Sequence, residues 1–133
     1  MFIYERVLLV DDNDDDNLFH EIVLRDAGFT GELLAFQLPR DALTYLLEAE
    51  HVPTAIFVDI NMPLMNGFQF VQKAGPTLKA FPHVTVVMLT SSSAFSDIQL
   101  AKETPEIDSY LVKPLSEGTA KQVLSGEAPD FPE

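Results

Sequence analysis

Five short apolar runs, each followed by a helical pattern, set the fold of this chain of 133 residues. Arg6 to Val10 is short, continuous and β-branched, as a strand buried on both faces must be. Glu32 to Phe36 is a weaker second run, Ala55 to Val58 a third, Val84 to Leu89 a fourth and Ile107 to Val112 a fifth. Between them lie helical stretches. Residues 14 to 26 place Leu18 with Ile22 and Phe19 with Val23 four apart, then stop at Gly28. Pro39 opens a helix with Ala42, Leu43, Leu46 and Leu47 as its apolar positions. Phe68, Phe70 and Val71 begin a third, which Gly75-Pro76 is expected to break or kink. Residues 94 to 102 and 116 to 125 supply the last two. The tail from Gly126 holds two prolines and is expected to fray.

Strands alternating with helices imply α/β architecture: a parallel sheet covered on both faces, here (βα)₅. The length suits one domain, set at residues 1–126 with a short tail at 127–133 and no output domain. No repeat or low-complexity segment interrupts it.

Composition narrows the function. Acids number 21 and Lys plus Arg number 8, so the formal charge is −13. Such a balance disfavours nucleic acid and anionic membranes, which demand cationic patches, and permits a metal ion. Without cysteine there is neither disulfide nor thiol chemistry. No apolar stretch approaches a membrane span and no signal peptide is visible, so a cytoplasmic protein is expected.

The polar residues collect at the strand ends, where open α/β sheets bind ligands. The first strand runs into Asp11-Asp12, the third into Asp59, the fourth into Thr90-Ser91-Ser92-Ser93 and the fifth into Lys113-Pro114. Carboxylates converging from two strands make an oxygen-only site suited to Mg²⁺, which keeps waters and a phosphoryl oxygen beside few protein ligands. One carboxylate can then attack a phosphoryl donor, while the lysine and hydroxyl hold the phosphoryl oxygens. An EF-hand is excluded, because a loop starting at Asp12 has Asn17 at its sixth place and Val23 at its twelfth. Asp14, Asp15 and Asp16 read as a solvated helix start, favoured by the dipole. His20, His51 and His83 are scattered and receive no role.

The segments LLVDDN (8–13), FVDINMPLMNG (57–67), VVMLTSS (86–92) and YLVKP (110–114) together resemble a receiver domain of a two-component response regulator, like the chemotaxis receiver. The resemblance covers nearly the whole chain in order. It implies a doubly wound, flavodoxin-like sheet of strand order 2-1-3-4-5. It implies that Asp59 is the phosphoacceptor. Asp12 and Asp59 would ligate Mg²⁺ through carboxylate oxygens, Asn61 through its main-chain carbonyl and Asp11 mainly through water. Lys113 would pair with the phosphoryl group, with a cis bond to Pro114. Thr90 would turn toward the phosphoryl, and Tyr110 would follow inward as the switch aromatic. Met62-Pro63 and Gly67 would shape the loop after Asp59, with glycine expected where φ is positive.

Ser91 departs from the Ala or Gly more usual in receivers and narrows access to the phosphoryl. The last helix is short with a single lysine, Lys121, so a monomer or weak dimer is expected. The partners implied are a sensor histidine kinase or histidine phosphotransfer protein and a downstream protein, with no catalysis beyond phosphorylation and dephosphorylation of Asp59 itself. Two alternatives stand beside this switch. A Mg²⁺-dependent aspartyl-phosphate phosphatase would want a second Asp two residues after Asp59, where Asn61 stands. A docking module independent of phosphorylation would not need the acids, Thr90 and Lys113.

Overall fold

The computed structural model describes residues 2–133. Five strands and five helices alternate: β1 (Arg6–Val10), α1 (Asp14–Asp26), β2 (Glu32–Phe36), α2 (Pro39–Glu48), β3 (Thr54–Val58), α3 (Gly67–Leu78), β4 (Val84–Thr90), α4 (Phe95–Lys102), β5 (Ser109–Val112) and α5 (Glu117–Leu124). All pairings are parallel and the strand order is β2-β1-β3-β4-β5. The flavodoxin-like, chemotaxis-receiver topology expected from the sequence is the one found.

Successive strand side chains point to opposite faces, so each central strand feeds two cores. Val7, Leu9, Ala55, Phe57, Val87 and Leu89 pack with Leu24 of α1 and with Ala120, Val123 and Leu124 of α5. Leu8, Val10, Ile56, Val58, Val86 and Met88 pack with α2, α3 and α4. β1 and β3 are buried at every position, which is why they read as continuous apolar runs. β2 lies at an edge and is mostly half-exposed, which accounts for its weaker pattern.

Four local expectations are corrected. Pro76 does not end α3, which runs on to Leu78; only two residues follow the proline, and the buried Leu78 and Phe81 hold the last turn against the core. On α1 the inward residues are Asn17, His20 and Leu24, whereas Leu18, Phe19 and Ile22 are exposed. Leu47 of α2 is likewise exposed, while Ala42 and Leu46 are buried. The tail does not fray: Ser109 Oγ donates to the Pro129 carbonyl at 2.7 Å, and Phe131 packs against the core on the α2, α3 and α4 side of the sheet.

Candidate functional site

The carboxyl edge of the sheet is built from β1, β3, β4 and β5. Asp11 follows β1 directly, and its backbone N–H donates to the Phe36 carbonyl at 3.0 Å. Its Oδ1 accepts from the Asn13 N–H at 2.9 Å. Asn13 caps α1, its side chain accepting from Asp16 N–H at 3.0 Å. Asn17, one turn on, donates to the Asp11 carbonyl at 2.9 Å. The acidic run is therefore folded back on itself by a helix start.

Asp59 follows β3 and is anchored to β1, its N–H donating to the Val10 carbonyl at 3.0 Å. Its Oδ1 accepts from Ile60 N–H at 2.7 Å. Beyond it, Asn66 and Gln69 form a capping box that starts α3. Gly67, the first residue of that helix, was expected to need a positive φ and does not have one. Its constraint is space: a Cβ there would lie 2.3 Å from the Asp59 carbonyl oxygen. Among the described residues, the non-glycine residue with positive φ is Leu64, at 70° and exposed.

Lys113 closes the site. Its ammonium donates to Asp11 Oδ2 at 2.7 Å, to Asp16 Oδ2 at 2.7 Å and to Asp59 Oδ2 at 3.1 Å. The Lys113-Pro114 bond is cis. Burial alone would lower the lysine pKa, but the hydrogen bonds it donates to Asp11 and Asp16 outweigh that and push it up. Burial raises the Asp11 carboxyl, and the charge on Asp59 adds to that, against the opposing lysine.

One carboxylate oxygen from each of Asp11, Asp12 and Asp59 lies within 4.8 Å of the others. Asp11 and Asp59 are buried and Asp12 is exposed, so the group opens to solvent on one side. A hard, all-oxygen donor set of this size with an open side fits Mg²⁺. Lys113 pairs with Asp11, Asp16 and Asp59, and Asp12 adds a further carboxylate beside Asp11 and Asp59, so a divalent cation would relieve their repulsion.

Thr90 ends β4 and is fully buried. Its hydroxyl accepts from Ser92 N–H at 3.3 Å, and no hydrogen bond joins it to the carboxylates among the described residues. Asn61 is exposed beyond Asp59, again without a side-chain bond to the cluster. Tyr110 is already inside, its hydroxyl donating to the Ser92 carbonyl at 2.8 Å. The structure thus joins Asp11, Asp12, Asp59 and Lys113, and sets Thr90, Asn61 and Tyr110 around them.

Three neighbours escaped the sequence reading. Asp16 binds Lys113 instead of merely solvating a helix start. Asn17 and His20 line a cavity of about 10 Å³ together with Asp11 and Asp59. Asn17 Oδ1 and His20 Nε2 are buried without a hydrogen-bond partner among the described residues. The available signal was spacing: Asp16 and His20 stand four apart on one face of the first helix, with Asn17 beside them.

Residues 7–125 match the model of the response regulator receiver domain family. This chain belongs to that family, whose members serve as phosphoryl-accepting switches in two-component signalling. It is 35% identical over 109 residues to the transcriptional regulatory protein PrrA of Mycobacterium tuberculosis, covering 82% of this chain and 43% of PrrA. It is 30% identical over 110 residues to the sensor histidine kinase CheAY of Helicobacter pylori, covering 83% of this chain and 13% of that kinase. The chain thus spans less than half of either relative. Among solved structures, a response regulator receiver protein from Dyadobacter fermentans superposes with TM-score 0.80 at 28% identity, covering 92% of this chain and 96% of that one. Chemotaxis protein CheY4 of Vibrio cholerae gives 0.72 at 29% identity, covering 91% and 96%. No helix among the described residues is long and apolar enough to cross a membrane.

Proposed function

We propose that this chain takes a phosphoryl group from a phosphohistidine onto Asp59 and signals by the change in its surface that follows. The donor is a sensor histidine kinase or a histidine phosphotransfer protein in the cytoplasm, and the output is docking to a further protein. The observation that carries the reading is the Lys113 ammonium held between Asp11 and Asp59, with Asp12 alongside.

Asp59 is a competent nucleophile in this setting. Its Oδ1 is fixed by Ile60 N–H, which holds the carboxylate plane. An Asp59 oxygen attacks phosphorus, the bond from phosphorus to the imidazole nitrogen breaks, and the imidazole leaves with the electron pair. Asp11, Asp12 and Asp59, with the Asn61 carbonyl, are the residues that would hold Mg²⁺. The ion's chemistry there is to neutralise the phosphoryl oxygens as charge moves. Lys113 supplies the second positive contact. Thr90 lies at the neighbouring strand end, where its hydroxyl, the acceptor for Ser92 N–H, can donate its own proton to a phosphoryl oxygen. Tyr110, one strand over and bonded to the Ser92 carbonyl, ties that movement to the face of α4 and β5.

The test is intact mass after incubation with acetyl phosphate and Mg²⁺. A gain of one phosphoryl group, absent in Asp59→Asn and with a chelator, is expected. Equal labelling of Asp59→Asn would overturn the assignment. Rapid turnover of small phosphate esters would instead point to a phosphatase.

A further inference from the structure

We propose that Asp16 is a positioning residue that competes with the incoming phosphoryl group for Lys113 and thereby sets how readily Asp59 is phosphorylated. The inference rests on the function proposed for Asp59. An ammonium has three donors, and here all three are engaged, by Asp11, Asp16 and Asp59. To hold a phosphoryl oxygen, Lys113 must release one of them.

Burial decides which. The side chains of Asp11 and Asp59 are 7% and 9% exposed, whereas that of Asp16 is 39% exposed. A buried carboxylate has no water to replace the ammonium, but Asp16 can take water in exchange. Asp16 is therefore the partner that gives way. Yet its bond, at 2.7 Å, is shorter than the 3.1 Å bond to Asp59, so the release has a cost.

The local structure explains why Asp16 is free for this task. As the third residue of α1, its carboxylate stands where a capping box would bend it back to the Asn13 N–H. That N–H is already taken by Asp11 Oδ1 at 2.9 Å. The Asp16 side chain turns instead to a residue 97 positions away.

The experiment follows the initial rate of acetyl phosphate labelling, with saturating Mg²⁺ and acetyl phosphate well below saturation. Asp16→Asn should label about two- to fivefold faster than wild type, the range expected for a half-exposed ion pair. Asp16→Glu, which keeps the carboxylate, should stay below about twofold of wild type by the same scale. Asp15→Asn makes the same charge change on the same exposed turn without touching Lys113, and should also leave the rate near wild type. Asp16→Ser provides a second neutral variant, and thermal melting checks that each protein is folded. Independently of labelling, NMR of the Lys113 ammonium should show faster proton exchange in Asp16→Asn than in Asp15→Asn. An Asp16→Asn rate equal to or below wild type overturns the inference, as does an equal acceleration in Asp15→Asn. If wild type itself takes no phosphoryl group, it is the function of Asp59 that fails.

Discussion

Gly67 lies against the backbone of Asp59, with room for a hydrogen and nothing larger. A Cβ on Gly67 would stand 2.3 Å from the Asp59 carbonyl oxygen and 3.0 Å from Ile60 Cα. Both obstacles are main chain and cannot swing aside. Gly67→Ala should therefore cost about 1–3 kcal/mol of stability, as overpacking does. It should also slow labelling of Asp59, because relief must come from the segment that carries the carboxylate. Chemical denaturation and the mass assay check the two together. An unchanged midpoint would show that the loop after β3 is looser than its geometry implies.

Mg²⁺ should stabilise the folded chain through Asp11, Asp12 and Asp59. At a concentration 100 times its Kd, a ligand of the native state alone adds about 2.7 kcal/mol, or roughly 10 °C in melting temperature for a domain of this size. Asp12→Asn should lose most of that gain and keep the same fold, since Asp12 is exposed. Thermal scans with Mg²⁺ and with chelator measure it. A melting point indifferent to Mg²⁺ in wild type argues against the cation site.

His20 gives a pH dependence of definite sign. Burial lowers its pKa below the ordinary 6.5, and the Lys113 charge adds to the effect. The folded chain thus binds fewer protons than the unfolded chain just below pH 6.5. Stability contributed by neutral His20 is present above that pH and is lost as pH falls toward the folded value. The slope approaches about 1.4 kcal/mol per pH unit at most. His20→Gln should flatten it, and urea melts across this range report the difference. Parallel curves for the two proteins would refute the assignment.

How much of this was legible depends on how local the signal is. β1 and β3 were readable because both faces are buried, which leaves an unbroken apolar run ending at an acid. Asp11, Asp12, Asp59 and Lys113 were readable because a parallel sheet brings strand ends to one edge. The orientation of α1 was not. Its inner face adjoins that edge and must supply polar groups, so Asn17 turns in to the Asp11 carbonyl while Leu18, Phe19 and Ile22 turn out. A hydrophobic periodicity rule assigns the opposite face. Asp16 escaped for a different reason: its partner lies 97 residues away, and no neighbouring pattern records it. Gly67 was noticed for the right residue and the wrong cause, because a close approach and a left-handed turn both ask for glycine.

Leu64 carries a left-handed backbone, φ 70°, with its side chain in solvent. That conformation costs an L residue about 1–2 kcal/mol, and the exposed leucine recovers none of it by packing. Leu64→Gly should therefore be tolerated and Leu64→Asn should raise the denaturation midpoint, in contrast to Gly67→Ala three residues on. The chain sits below the stability its own backbone would allow. Its slack lies in the loop beside Asp59, where a screen for thermally hardened variants should find its first improvements.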